Sequence, residues 1–124
     1  MVVDSYSTDD TAEIAAAAGA RVLQRPFDGF RSQKQFAIEQ ARHDWVLCLD
    51  ADERVSEALR KSIETARDSG FGDAAGYRFA RLSDYFGRFL RHGNAYPDRV
   101  LRLFDRRRGG WRGKREVHEA ASVD

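Results

Sequence analysis

The chain has 124 residues, of which 42% are hydrophobic and 33% charged, a composition that suits one globular domain with a single core. Its 21 basic and 20 acidic residues nearly cancel, which argues against a general nucleic-acid-binding protein. No apolar stretch is long enough to cross a bilayer and no signal peptide is recognisable, so we expect a cytoplasmic protein.

The first 75 residues alternate between strand and helix patterns. Gly19 and Gly70 are natural helix stops, and Ser56 can cap the last helix. This alternation predicts an α/β fold with a parallel sheet, in which ligands bind at the carboxyl ends of the strands. In chain order the predicted elements are a strand end at 2–4, a helix at 11–18, a strand at 21–24, a helix at 32–42, a strand at 45–49 and a helix at 57–68.

The apolar run 45–49 predicts a strand that is buried on both faces. It contains Cys48, the single cysteine, which excludes an intrachain disulfide and which we expect to be a buried, inert thiol. Beyond Gly76, residues 77–82 and 100–104 predict two more strands, separated by an aromatic and glycine-rich stretch.

Asp50, Asp52 and Glu53 directly follow this apolar run. Carboxylates this close together repel each other unless a positive charge lies among them. Asp50 and Asp52 could hold Mg²⁺ or Mn²⁺ together with substrate phosphates, and the metal would stabilise a diphosphate leaving group. The alternative is that these residues cap the next helix and favour its N-terminal dipole.

Three further positions carry groups that could act on a ligand. Asp4 ends an earlier strand and could accept a hydrogen bond from a base or a ribose hydroxyl, or simply form a turn. Lys34 could approach a nucleotide or point into solvent. His118 and Glu119 could supply a metal ligand and a general base, or be a surface pair.

The segment 99–115 is strongly basic. A basic face suits a phosphate, a lipid head group or an acidic sugar, and the alternative is a solvated surface. The chain could therefore touch a membrane through this end. The segment contains Arg99, Arg102, Arg106, Arg107, Arg108, Arg112, Lys114 and Arg115.

Five motifs occur together in order: Val-Val-Asp with its polar turn at 2–11, Gln-Lys-Gln-Phe-Ala at 33–37, Leu-Asp-Ala-Asp-Glu at 49–53, Tyr-Pro-Asp-Arg-Val-Leu-Arg-Leu-Phe at 96–104 and Val-His-Glu at 117–119. With them the chain resembles the family 2 glycosyltransferases of the GT-A fold, and within these the bacterial lipopolysaccharide-core β-glycosyltransferases. The resemblance implies a Rossmann-like, mostly parallel sheet with flanking helices. It implies one partial domain over 1–124, with a nucleotide-sugar-binding half at 1–75 and the start of an acceptor-side half at 76–124.

The resemblance also implies roles for the donor site. Asp4 matches the residue that contacts the nucleotide base, and Lys34 lies near the nucleotide. Asp50 matches a residue near the ribose and the metal, and Asp52 matches the direct ligand of Mg²⁺ or Mn²⁺.

The implied reaction is an inverting transfer from a nucleotide diphosphate sugar to a saccharide or lipid-linked saccharide acceptor. Glu119 is the candidate catalytic base, with Glu116 as its rival. Arg99 and Arg102 would help to hold the diphosphate or an anionic acceptor, although Arg102 could equally pack within an amphipathic strand. The implied location is the cytoplasm, with peripheral contact at the inner membrane left open.

Family members begin with a strand and helix that carry an Ile-Pro-x-x-Asn-Glu-like segment, for which this sequence has no counterpart. We therefore expect a sheet that is incomplete at its N-terminus, with an exposed edge, and weak or absent activity of these residues in isolation. Two rivals remain. One is a non-catalytic nucleotide-binding remnant, and the other is a phosphatase with Asp50 as nucleophile and Asp52 as acid, in which Arg54 would be unusual.

Overall fold

The computed structural model describes residues 1–89, 92, 96–111 and 121–124. The predicted order of strands and helices in the first 75 residues is confirmed. Within the described residues the elements are β1 Val2–Asp4, α1 Thr11–Ala17, β2 Val22–Gln24, α2 Phe30–Glu39, β3 Trp45–Leu47, α3 Glu57–Asp68, β4 Gly76–Arg81, β5 Asp84–Tyr85, β6 Arg88–Phe89, β7 Asp98–Asp105, β8 Gly109–Gly110 and β9 Ser122–Val123.

The end of α1 and both ends of α3 follow the local signals that predicted them, whereas α2 lies at Phe30–Glu39 and not at the predicted 32–42. The Ser56 hydroxyl accepts a hydrogen bond from the Leu59 backbone N–H at 3.2 Å, which satisfies one free donor at the start of α3. Gly19 and Gly70 have φ values of +82° and +72°, the left-handed conformation in which glycine ends helices most easily. None of the helices in the described residues is both long enough and apolar enough to span a membrane.

The strand pairing differs from the expected mostly parallel sheet. β1 and β2 pair in parallel, whereas β3 and β4 both pair antiparallel with β7, in the order β3-β7-β4. Among the described residues, β1 and β2 therefore form the one parallel pair. The alternation of strands and helices predicts crossover connections between parallel strands. It does not show which strand pairs with β3, and in the structure that strand is β7.

The core lies on β7 and the elements that cover it. Phe104 of β7 is completely buried, and its ring centroid lies 6.2 Å from that of Trp111. Because β7 is the central strand of its sheet, both of its edges are hydrogen-bonded, and its second half is buried throughout. The buried cluster consists of Ile38, Val46, Leu101, Phe104, Trp111 and Ala121.

The prediction that residues 45–49 are buried on both faces is wrong. Val46 is buried, but Leu47 and Leu49 are 38% and 45% exposed. Successive side chains of a strand point to opposite faces, so only one face of β3 reaches the core. On the other face Trp45 is covered by the stacked ring of Phe71, at a centroid distance of 4.0 Å.

A β-bulge interrupts the pairing of β4 with β7. Tyr77 lies opposite Leu103 and Arg78 lies opposite Leu101, so Arg102 is an extra residue on β7. A bulge of this kind bends the strand and changes the direction of the extra side chain. It turns Arg102 towards the loop that follows β3, where its guanidinium meets two carboxylates.

Candidate functional site

The chain leaves β3 through a tight turn at residues 50–53. The Glu53 backbone N–H donates to the Asp50 carbonyl oxygen at 3.0 Å, and the Asp50 N–H donates to Glu53 Oε2 at 3.1 Å. These reciprocal hydrogen bonds close the turn. Asp52 lies within it and is exposed.

The Asp50 carboxylate is bound by two cations from distant parts of the chain. Lys34 Nζ of α2 lies 2.7 Å from Oδ1, and Arg102 Nη2 of β7 lies 2.8 Å from Oδ2. Burial alone would raise the pKa of Asp50. The charges and hydrogen bonds of Lys34 and Arg102 outweigh burial and hold the pKa below its usual value, so the carboxylate is ionised at neutral pH.

Arg102 is 8% exposed and joins both ends of the turn. Besides Asp50, its Nη2 atom contacts Glu53 Oε1 at 2.5 Å. Burial would lower the pKa of Arg102, but the two carboxylates raise it above its usual value. In the structure Arg102 therefore packs within its strand and pairs with the carboxylates of the turn, and its contact with a diphosphate stays a prediction.

The donor atoms of the turn fit a cation that is shared with a substrate. No hydrogen bond or ion pair reaches the Asp52 side chain from the described residues, so its oxygens are available. Mg²⁺ is commonly held by one or two carboxylates together with substrate phosphates and water. The described residues contain no group of three or more His, Cys, Asp or Glu side chains that could cage a metal by themselves. The metal role of Asp52 and Asp50 stays a prediction.

Asp4 lies at the carboxyl end of β1 and is 4% exposed. It accepts hydrogen bonds from the Ser7 hydroxyl, from the Ser7 N–H at 3.1 Å and from Gln24 Nε2 at 3.2 Å. The hydroxyl of Ser7 is the main cause that lowers the pKa of Asp4. These contacts are those of a turn former, and a contact of Asp4 with a base stays a prediction.

Gln33 lies beside Lys34 on α2, and sequence reasoning does not single it out. Its Nε2 donates to the Ser5 hydroxyl at 3.0 Å, which ties α2 to the turn after β1. Its Oε1 is buried without a partner among the described residues. The signal available in the sequence was its position one residue before Lys34 in the Gln-Lys motif.

Lys34 is not simply a solvated surface lysine. Its side chain is 26% exposed, and its Nζ lies 5.2 Å from the centre of the Trp111 ring as well as against Asp50. Gln35 Oε1 accepts from the backbone N–H of Trp111 at 3.2 Å, and Arg31 Nε donates to the Trp111 backbone carbonyl at 3.1 Å. α2 thus links the 50–53 turn to the buried Trp111, a connection that no sequence pattern predicts.

The remaining candidates divide between described and undescribed positions. Glu116, His118 and Glu119 lie outside the described residues, as do Arg112, Lys114 and Arg115.

In the described part of the basic segment, Arg107 contacts Asp105 at 2.6 Å and Asp44 at 3.0 Å. The hydrogen bond from Arg107 lowers the pKa of Asp105 to about 2. Burial raises the pKa of Cys48 to about 11, so this thiol is protonated at neutral pH, as expected for an inert cysteine.

The sequence profile of the family described as "Glycosyl transferase family 2" matches residues 1–121. The chain belongs to glycosyltransferase family 2. A relative within this enzyme class is the lipopolysaccharide core biosynthesis glycosyltransferase LpsC of Rhizobium meliloti (strain 1021). It is 36% identical over 124 residues, which cover 96% of this chain and 46% of LpsC.

A second relative is the uncharacterized glycosyltransferase RT0209 of Rickettsia typhi, which is 48% identical over 64 residues. That alignment covers 52% of this chain and 22% of RT0209. The chain therefore aligns with less than half of the length of either relative. Membership of the family confirms the predicted α/β glycosyltransferase class, while the described sheet pairing departs from a simple parallel sheet.

Proposed function

We propose that this chain is the donor-binding part of a glycosyltransferase that moves a sugar from a nucleotide diphosphate sugar to a saccharide or lipid-linked saccharide. One observation carries the proposal. In a family 2 sequence, the 50–53 turn presents an exposed Asp52 while Lys34 and Arg102 hold its neighbouring carboxylates in place. A site that is fixed before the ligand arrives binds it at a lower entropic cost.

Asp52 would hold Mg²⁺ or Mn²⁺ directly, with Asp50 beside it and near the ribose. When bound, the metal would neutralise charge on the diphosphate. Asp4 would contact the base from the carboxyl end of β1, and Lys34 would add positive charge near the nucleotide. The ion pair between Lys34 and Asp50 at 2.7 Å supports this arrangement, because it brings α2 to the proposed diphosphate position.

The chemical step would be an inverting transfer. The carboxylate of Glu119, or of its rival Glu116, takes the proton of the acceptor hydroxyl. The hydroxyl oxygen forms a bond to the anomeric carbon, and the bond from that carbon to the diphosphate breaks, so that the nucleoside diphosphate leaves with the electron pair. The Val-His-Glu motif at 117–119 supports this role.

The acceptor would be a lipopolysaccharide-core saccharide or a similar glycan, as the printed name of the relative LpsC suggests. We place the enzyme in the cytoplasm, in peripheral contact with the inner membrane. Residues 1–75 would bind the donor and residues 76–124 would begin the acceptor side, although the β3-β7-β4 sheet joins strands from both halves.

Calorimetric titration with UDP, with and without Mn²⁺, tests the donor site. We expect binding that strengthens with Mn²⁺ and loses this dependence in Asp52→Ala, while the control Asp73→Ala, at another exposed aspartate, keeps it. Unchanged Mn²⁺ dependence in Asp52→Ala would remove the metal assignment. Release of phosphate from a simple phosphomonoester would favour the phosphatase, and metal-dependent binding without transfer would favour a non-catalytic remnant.

A further inference from the structure

The hairpin formed by β5 and β6 carries three exposed aromatic side chains. Phe86 at its tip is 97% exposed, and Tyr85 and Phe89 are 63% and 58% exposed. The two turn residues, Phe86 and Gly87, have φ values of +53° and +78°. We call residues 84–89 the aromatic hairpin.

Phe86 is an unfavourable residue for this turn. Two-residue hairpin turns with positive φ at both positions favour Asn or Asp before Gly, because most other side chains are strained there. Phe71 is also strained, with φ of +61°, but its ring stacks on Trp45 at 4.0 Å. The ring of Phe86 meets only the edge of Tyr85, at 5.2 Å, among the described aromatic residues. Phe86 thus stabilises neither the turn nor the core.

The end of the sheet from which the hairpin extends carries an excess of positive charge. Arg81 and Asp98 neutralise each other at 2.6 Å. Three exposed arginines near this end form no ion pair with any described residue. Only one exposed aspartate there, Asp84, also lacks an ion pair with a described residue. Arg88 belongs to the hairpin itself, and Arg99 lies opposite Ala80, near the end of β4. The third, Arg78, lies further from the hairpin, in the middle of β4 and opposite Leu101.

We propose that the aromatic hairpin inserts into the surface of an anionic lipid bilayer. Aromatic rings settle in the interface between water and acyl chains, while adjacent arginines are attracted to anionic head groups. A stable protein interface needs about 800 Å² from each partner, whereas the exposed aromatic side chains of the hairpin are three rings at a narrow tip. The same tip is large enough for shallow insertion, and this favours a bilayer as its partner.

The inference rests on the proposed membrane contact and identifies the surface that makes it. It concerns a part of the chain separate from the 50–53 turn. Vesicle binding can therefore be measured without donor, metal or acceptor. A failure to bind vesicles would leave sugar transfer untouched, and a failure of UDP binding would leave the hairpin proposal untouched.

The test is co-sedimentation of the 124-residue chain with vesicles of phosphatidylglycerol and phosphatidylcholine, compared with vesicles of phosphatidylcholine alone. The decisive variant is Phe86→Asn, because asparagine suits the turn and the variant should unfold at the same or a higher urea concentration. We expect its affinity for anionic vesicles to fall by roughly tenfold. Phe27→Asn, which replaces a 52% exposed aromatic residue outside the hairpin, should bind like the unsubstituted chain.

A second variant tests the charge component. Arg88→Gln should weaken binding to anionic vesicles and reduce its dependence on salt, with little change on neutral vesicles. The proposal is overturned if Phe86→Asn binds as tightly as the unsubstituted chain, if Phe27→Asn loses as much affinity, or if neutral vesicles bind equally well. Loss of binding to a soluble acidic oligosaccharide in Phe86→Asn, with vesicle binding intact, would assign the hairpin to the acceptor instead.

Discussion

Arg102 Nη2 lies 2.5 Å from Glu53 Oε1, and this contact joins the bulged residue of β7 to the last residue of the turn that follows β3. The same nitrogen contacts Asp50 at the other end of the turn. One buried guanidinium thus offsets the repulsion between two carboxylates that lie close together in the sequence. Asp52 is left as the exposed carboxylate of the turn, free to meet a ligand.

Arg102→Gln should lower the free energy of unfolding by about 2 kcal/mol, since it removes the buried cation that Asp50 and Glu53 share and leaves Asp50 with Lys34 alone. Asp50 is still one-third exposed, with side-chain exposure of 33%, so water limits the loss to less than that of a fully buried pair. Urea unfolding would measure the change. Arg99→Gln, at an exposed arginine of the same strand, should stay within about 0.5 kcal/mol. Equal losses in both variants would contradict this account.

Substitutions of Asp50 and of Asp52 should differ in their effects on the free energy of unfolding, although both should affect UDP binding. Asp52→Asn should change the free energy of unfolding by less than about 0.5 kcal/mol, because its side chain has no partner in the described structure, yet abolish the Mn²⁺ dependence of UDP binding. Asp50→Asn should lower the free energy of unfolding and also abolish the Mn²⁺ dependence of UDP binding, because Lys34 and Arg102 both pair with the charge of Asp50. Thermal unfolding and UDP titration on each variant would show the split. A destabilised Asp52→Asn would count against an exposed, unpaired carboxylate.

Asp105 should make the folded state sensitive to acid. Its pKa is about 2 in the fold against an ordinary value of 3.8, so the proton binds the unfolded chain more tightly. This contribution to stability is complete above about pH 4 and is lost as the pH falls towards 2. Urea unfolding of the unsubstituted chain and of Asp105→Asn, each at about pH 5 and about pH 2.5, would measure this contribution. The comparison of the two proteins separates the effect of Asp105 from that of the other carboxyl groups. The difference in stability between the two proteins should shrink at the lower pH; a constant difference would refute the role of its ionisation.

Gly76 should tolerate no side chain. A Cβ atom at this position would lie 2.9 Å from Leu101 Cδ1 and from Phe104 Cβ, and 3.0 Å from the Leu103 carbonyl oxygen. Because one of these neighbours is backbone, the central strand itself would have to move, and we expect Gly76→Ala to cost about 1–3 kcal/mol of unfolding free energy. Ala80→Ser, at an exposed position of the same strand, is the control for chemical denaturation. If Gly76→Ala unfolds at the same urea concentration as the control, the close approach of β4 to β7 is wrong.

Local sequence signals predicted the bounds of α3 well, but not those of α2, which begins and ends earlier than predicted. α3 begins after Ser56 and ends before Gly70, as predicted, because a cap and a left-handed glycine act within a few residues of each other. The position of the 50–53 turn after β3 was equally readable, since a short apolar run followed by carboxylates is a local pattern. The ion pairs that Lys34 and Arg102 form with this turn were not readable, because the sequence around these two cations does not show which anion they meet.

The sequence by itself therefore determined the α/β class, the order of the first six elements, the family and the acidic turn. All of these depend on residue type and on spacing along a short stretch of chain. The tertiary structure decided that β3 pairs antiparallel with β7 and that an extra residue in β7 points Arg102 at Asp50 and Glu53. The physical reason is that strand pairing and ion pairing join residues that are far apart in the sequence. Arg102 lies 49 positions after Glu53 and 52 positions after Asp50. Their energies depend on three-dimensional distance and burial, which no local pattern records. The acidic turn that the sequence marked as a metal site is thus, in the fold, first a site for the protein's own cations, with Asp52 as the carboxylate left exposed for a ligand.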